Sequence, residues 1–285
     1  MYLSPEFVNI LLKRPDLLSL GGEEKELTVL FSDLKGFTSL SEVMPPSDLV
    51  SLLNEYLDGM TQIIFDHGGT LDKYEGDSVM AFWGAPLEDH EHARKAVAAA
   101  LEMSKFSDSL SLKFQGEGRP AIKTRLGLNT GRVIVGNIGS RKRFDYTIIG
   151  DDVNLTSRLE GANKQYGTYL MISHSTYTLV KDHFLVRVLD NLRVKGKERP
   201  VKVYEVLGRL NDRYELEFKK MLECYLQGFL AYTKSEWKEA LRFFEEGLGL
   251  KPDDGPTLTY IERCRYFLDN PPGDSWDGIF RLTTK

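Results

Sequence analysis

Cysteine is nearly absent. The 285 residues include 2, Cys224 and Cys264, too few for a disulfide framework or a thiolate metal site, and a reducing cytoplasm suits them as plain core thiols. No apolar run reaches the roughly 18 residues that a membrane span needs, and no charged-then-apolar leader opens the chain, so the sequence predicts a soluble, cytoplasmic segment. Basic excess is missing too: 37 Lys and Arg stand against 42 Asp and Glu, a formal net charge of −5. Both signs are spread along the chain, which argues against nucleic acid or an anionic membrane surface as partner. What is present, 41% hydrophobic and 28% charged residues, suits a globular chain with one sizeable domain and a smaller one.

Three segments are expected: 1–22, 23–208 and 209–285. The first holds an amphipathic stretch with Ser4 placed as an N-cap and Pro5 at the first helical position, ending at Gly21-Gly22. In the second, local patterns predict strand 26–33, helix 47–66, strands 70–75 and 78–83, helix 88–107 and strand 121–130. Ser47 is the expected cap of the first of these helices and Gly68-Gly69 its stop, while "EGD" makes a tight turn between two strands. This β-α-β-β-α-β order is that of an α+β, ferredoxin-like sheet in which the third strand inserts between the first and second. Strands at 132–138 and 144–149 add a hairpin, a helix covers 151–164, and further strands follow at 169–173, 184–194 and 201–207. Beyond about residue 210 the pattern is aromatic-rich helix. Gly228, Trp237, Ala240, Phe244 and Pro252 have spacings that resemble one tetratricopeptide repeat, which cannot bury its own face and is expected to pack on the main domain or on a second chain.

The stretch "VLFSDLKGFTSLSE" carries a core strand straight into an acid, Asp33, and then into a loop around Gly36. In the split sheet the end of the first strand and the "EGD" turn lie at the same end, so Asp33 and Asp77 converge. Either alone would be an ordinary turn residue. Together they repel unless a hard divalent cation with oxygen ligands lies between them. Gly36 lets the backbone come close to a ligand, and Phe37 and Thr38 follow with N–H groups and a hydroxyl suited to phosphate oxygens. Asn154 and Arg158, four apart on the predicted helix 151–164, share one face. Beside a phosphate site, Arg158 suits the charge that builds on a transferring phosphoryl group.

"FSDLKGFT", "DKYEGDSVMAFWG", "RLGLNTGRVIVGNIG", "YTIIGDDVNLTSRLE" and "VKGK", in that order, resemble the catalytic domain of the class III nucleotidyl cyclases from about Glu26 to Val206. The resemblance implies an enzyme that forms a cyclic 3′,5′-nucleotide and pyrophosphate at sites shared between two chains of a homodimer. It makes Asp33 and Asp77 the ligands of two Mg²⁺ or Mn²⁺ ions, with the Leu34 carbonyl as a further ligand. Gly36, Phe37 and Thr38 receive the phosphates, Arg125 and Lys195 contact the triphosphate, Asn154 orients the ribose and Arg158 stabilises the transition state. Lys73 and Thr147 read the base, where the best-known members carry Asp in place of Thr147. The subclass with Thr there is similar to bicarbonate-responsive cyclases. The opening segment resembles the linker that joins sensor or membrane regions to such domains, which implies a longer parent protein.

Adenine offers an acceptor at N1 and a donor at N6, which a lysine ammonium and a threonine hydroxyl oxygen satisfy, whereas guanine reverses the pattern at N1 and O6. An unpaired donor facing a donor costs on the order of 1–3 kcal/mol. The expected substrate is therefore ATP. Competing readings are a guanylyl cyclase, which Lys73 opposes, and a catalytically inactive interaction module, which the intact acid and arginine set opposes. A polymerase-like or diguanylate-forming domain would not need Lys73 and the Asn154/Arg158 helix in this order.

Overall fold

The computed structural model describes residues 20–192, 200–273, 276 and 278. The helix expected within 1–20 (Leu20 apart) and Lys195 lie outside these. The described residues divide into two compact units, one running to Gly161 and including Tyr169–Val180, the other made of Ala162–Thr168 and the chain from Lys181 onward. The expected catalytic segment, 23–208, contributes to both.

In the first unit, β1 (Gly21–Leu34), β2 (Thr70–Glu75), β3 (Ser78–Trp83), β4 (Thr124–Ser140) and β6 (Leu170–Ser173) line up in the order β2-β3-β1-β4-β6, with β5 (Arg143–Ile149) paired to β4. β3 therefore lies between β1 and β2, as the split arrangement requires, and both β3 and β4 run antiparallel to β1. The strand alternation sends Thr28, Leu30 and Ser32 to one face of the sheet and Leu27, Val29, Phe31 and Asp33 to the other.

The even face is covered by α2 (Pro46–Asp66) and α3 (His92–Gly116). Thr28 Oγ1 lies 2.8 Å from His92 Nδ1, Thr124 Oγ1 donates to Ser107 Oγ at 2.9 Å, and Trp83 Nε1 donates to the His67 carbonyl at 3.0 Å. On the odd face Leu27, Val29, Met80, Phe82, Val133, Val135 and Ile148 form a core with Val153 of α4 (Asp151–Tyr166). Gly127 and Gly131 of β4 have no side chain because α4 crosses there: a Cβ at either would collide with the Glu160 backbone or the Asp152 carboxylate.

Several expectations change. α2 begins at Pro46, with Pro45 as its N-cap, so Ser47 lies inside the first turn and donates to Asp48 at 3.2 Å instead of capping. Pro at the first helical position loses no hydrogen bond, which moves the start one residue earlier. The segment after Gly36, expected as a loop, is a short helix, α1 (Phe37–Val43), and His174–Val180 forms α5. α3 runs to Gly116 instead of 107 because Leu110 and Phe114 keep it buried.

In the second unit β7 (Phe184–Leu192) and β8 (Val201–Arg209) form an antiparallel pair that is followed by α6 (Leu216–Thr233), α7 (Trp237–Leu250) and α8 (Gly255–Asp269). Tyr225, Phe229, Tyr232, Phe244, Tyr260 and Phe267 make its aromatic core. Tyr225 Oη donates to the Val188 carbonyl at 3.0 Å and Tyr260 Oη to the Leu189 carbonyl at 2.5 Å, so the helices pack on β7. Arg187 holds Asp254 through both terminal nitrogens, at 2.8 and 2.9 Å, and Asp254 in turn caps α8 by accepting from the Thr257 N–H at 3.1 Å. A buried fork of this kind fixes orientation, because losing either partner strands a charge out of water. Gly228 and Phe244, two of the repeat-like positions, meet where α6 and α7 cross.

Candidate active site

The end of β1 and the β2–β3 turn are tied to each other by the acids themselves. The Leu34 N–H donates to Asp77 Oδ2 at 3.0 Å, and Ser78 Oγ donates to Asp33 Oδ1 at 2.8 Å. Gly76, at φ 68°, makes the tight turn that delivers Asp77. Burial pushes the Asp77 carboxyl up to about 6, the Leu34 N–H opposes the shift and the Asp33 charge adds to it. Burial likewise raises the phenol of Tyr56, and the charges of the two aspartates add to its shift.

A carboxyl that is harder to ionise in the folded state costs stability as pH rises from its unfolded value near 4 towards about 6, and the full cost is present above that. Asp77→Asn keeps an acceptor for the Leu34 N–H and removes the charge. At pH 7.5 without divalent ions it should stabilise the fold by roughly 1 kcal/mol, after discounting for solvent at a half-buried site. The gain should shrink to about a third of that by pH 4.5 and vanish only below about pH 3. Thermal melts at both pH values check this, and a variant no more stable than the parent at pH 7.5 would contradict it.

The pair fits a hard cation. Among the described residues no group of three or more His, Cys, Asp or Glu could enclose a metal, so the chain offers two carboxylates and leaves the remaining positions to backbone carbonyls, water or ligand phosphates, a donor set characteristic of Mg²⁺. Next to the pair, Gly36 sits at φ 76° as the N-cap of α1, so Phe37 and Thr38 open that helix with no side-chain cap. Arg125 is buried and lies directly across from Asp33 in the β1–β4 register.

A second cluster forms where β2 meets β5. The β2–β3 register shifts between Leu71 and Lys73, leaving Asp72 as the extra residue of a bulge. Its side chain is fully buried, 0% exposed, while that of Lys73 is 40% exposed. Thr147 Oγ1 lies 2.6 and 2.9 Å from the two Asp72 oxygens, the Ile148 N–H donates to the same carboxylate at 3.3 Å, and Lys73 Nζ is 3.3 Å from it. Burial raises the Asp72 carboxyl, with the Thr147 hydroxyl and the Lys73 charge acting against that rise. Lys73 and Thr147 are thus brought together by an acid that sequence reasoning passed over. The available signal was an Asp in the interior of a strand, a position it disfavours.

On α4, Asn154 is exposed and Arg158 is half-buried, with its Nη1 enclosed and without a hydrogen-bond partner among the described residues. Asp151 and Asp152 fill the first turn of the helix, where its dipole favours them. Among the described residues no hydrogen bond or ion pair joins Asn154 or Arg158 to Asp33 or Asp77. The sequence-predicted residues therefore form an acid pair with its glycine turn, a Lys73–Asp72–Thr147 cluster, and an arginine helix with an unmet donor.

The family described as the adenylate and guanylate cyclase catalytic domain matches residues 22–208. The terminal-differentiation specific adenylate cyclase of Dictyostelium discoideum is 37% identical over 245 residues, 84% of this chain and 11% of that protein. The chain thus spans about a tenth of that relative, and the alignment reaches beyond the family match. Among solved structures, the adenylyl cyclase CyaB from P. aeruginosa is 41% identical with a TM-score of 0.64, covering 68% of this chain and 100% of that one. The guanylyl cyclase Cya2 is 36% identical with a TM-score of 0.62, covering 67% and 96%. Catalytic domains of this class bind nucleotide, act as dimers and generally use divalent metals. The family match ends before α6, so it does not bear on the likeness of the C-terminal helices to a tetratricopeptide repeat, which rests on sequence spacing alone. No helix among the described residues is long and apolar enough to cross a membrane. The chain belongs to the adenylate and guanylate cyclase catalytic domain family.

Proposed function

We propose that the chain converts ATP to 3′,5′-cyclic AMP and pyrophosphate, at sites built between two copies of itself. The observation that carries this reading is the convergence of Asp33 and Asp77, a half-buried acid pair poised for cations, beside a turn open to phosphates. Asp33 and Asp77 would hold divalent ions, Mg²⁺ or Mn²⁺ and two per site, which would supply positive charge to the triphosphate and lower the pKa of the ribose 3′-OH. The Leu34 carbonyl is proposed as a further ligand. The first-turn amides of Phe37 and Thr38, freed by Gly36, receive phosphate oxygens, and Arg125 and Lys195 contact the triphosphate. Asn154 holds the ribose so that its 3′-oxygen faces the α-phosphorus. A bond forms between those atoms, the bond from the α-phosphorus to the bridging oxygen breaks, pyrophosphate leaves with the electron pair, and the 3′-hydroxyl proton passes to water or to a substrate phosphate oxygen. Arg158 answers the charge that builds on the phosphoryl oxygens, a role consistent with a guanidinium nitrogen that has no hydrogen-bond partner among the described residues.

The base is the point on which the relatives differ, since both adenylyl and guanylyl cyclases are among them. Lys73 as donor to N1 and Thr147 as acceptor from N6 favour adenine. Incubation with ATP or GTP, each with Mg²⁺ and with Mn²⁺, followed by mass spectrometry of products, tests the proposal. Cyclic AMP in excess of cyclic GMP is expected. Faster formation of cyclic GMP would establish the guanylyl reading, and intact triphosphate in every tube would establish an inactive module.

A further inference from the structure

A threonine hydroxyl is by itself a poor discriminator between bases, because it can donate or accept and its hydrogen rotates to suit. At Thr147 that freedom is removed. An ionised carboxylate has no proton to give, so the short contacts from Thr147 Oγ1 to Asp72, 2.6 and 2.9 Å, place the hydroxyl hydrogen on the Asp72 side. Only lone pairs of Oγ1 are then left for a base. The same carboxylate is anchored by the Ile148 N–H at 3.3 Å and lies 3.3 Å from Lys73 Nζ, so one buried group sets the direction of both base-facing side chains. The backbone is shaped for this purpose: Asp72 is the extra residue of the β2 bulge, which turns its side chain into the β5 contact and re-aims Lys73.

The geometry points to Asp72 as a specificity-determining positioning residue that locks the Thr147 hydroxyl as an acceptor and steers Lys73, so that an adenine-like edge is accepted and a guanine-like edge is rejected. This rests on the reading that Lys73 and Thr147 face the base. With the hydroxyl locked, guanine O6 would meet lone pairs, and its N1–H would meet an ammonium that has only donors. Adenine meets a complementary partner at both places. A carboxylate at residue 72 therefore does for threonine what a carboxylate at residue 147 would do unaided: it presents a fixed acceptor.

The test is the ratio of kcat/KM for ATP to that for GTP. Asp72→Asn is nearly isosteric, and its amide NH₂ can donate to Oγ1, freeing the hydroxyl hydrogen to turn towards a base. The ratio should fall tenfold or more, with the loss mainly on ATP. In a Thr147→Val background the same Asp72→Asn change should alter the ratio clearly less than it does in the parent, because no hydroxyl is left to orient and only the steering of Lys73 remains. Equal losses on both nucleotides with the ratio kept would mean that Asp72 only braces the sheet, and would overturn the inference. If Lys73→Ala and Thr147→Val themselves leave the ratio untouched, the underlying reading of the base site fails first, and the role of Asp72 falls with it. Should Asp72→Asn fail to fold, Thr147→Ser, which keeps the hydroxyl, is compared with Thr147→Val. A ratio kept by serine and lost by valine is expected, and equal ratios would overturn the assignment.

Discussion

Asp77→Ala should lower turnover by about a thousandfold or more while the protein remains folded, and Asp33→Ala should do the same. A thousandfold loss corresponds to about 4 kcal/mol of transition-state stabilisation. That is the scale expected when a site that works by charge neutralisation on a triphosphate loses one of its two carboxylates. Folding should survive because these acids are not holding the sheet together. The sheet is held by the β1–β3 and β1–β4 ladders and by the Leu27, Val29, Phe82 and Val135 core. The Ala variant loses the hydrogen bond from the Leu34 N–H, worth about 1 kcal/mol, but also sheds a charge that burial makes costly. Melting temperature within a few degrees of the parent, together with near-zero turnover, is the expected pair of results. An Asp77→Ala protein with near-normal Mg²⁺-dependent activity would remove the acid pair from the mechanism.

The parts of this site that were legible in the sequence are those written in short-range patterns. The β2 and β3 boundaries, 70–75 and 78–83, coincide with expectation because Gly76-Asp77 marks the turn chemically. From the turn and the order of elements, the meeting of Asp33 and Asp77 follows by topology alone. Longer-range causes were not legible. β1 starts five residues before the expected strand 26–33, since Glu23, Glu24 and Lys25 are ordered by pairing with β4 and not by burial. Gly131 reads as a break between strands 121–130 and 132–138, yet β4 runs through it unbroken, and the glycine is there to admit α4. The bulge at Asp72 has no signature in a period-2 pattern, so Lys73 and Thr147 were found while the acid between them was not. Lys195 and residues 1–19, where a helix is expected, lie outside the described residues.

The proposed catalytic site is composite, with Asp33 and Asp77 from one chain and Asn154 and Arg158 from its partner. One protomer carries both sets, so an isologous dimer would hold two equivalent sites about its two-fold axis. Such a division is compatible with the arginine helix, where Asn154 is exposed and Arg158 Nη1 has no hydrogen-bond partner among the described residues. The most direct measurement mixes two dead proteins. Asp33→Ala and Arg158→Ala should each form almost no cyclic AMP alone. After free subunit exchange in an equal mixture, about half the dimers pair one of each, and every such dimer has one site with both sets intact and one site with both lesions. Cyclic AMP formation per subunit should rise to roughly a quarter of the wild-type rate, from random pairing with independent sites. A mixture that stays as inactive as its components, with exchange demonstrated separately by mass-tagged subunits, would rule out the composite site and place each site within a single chain.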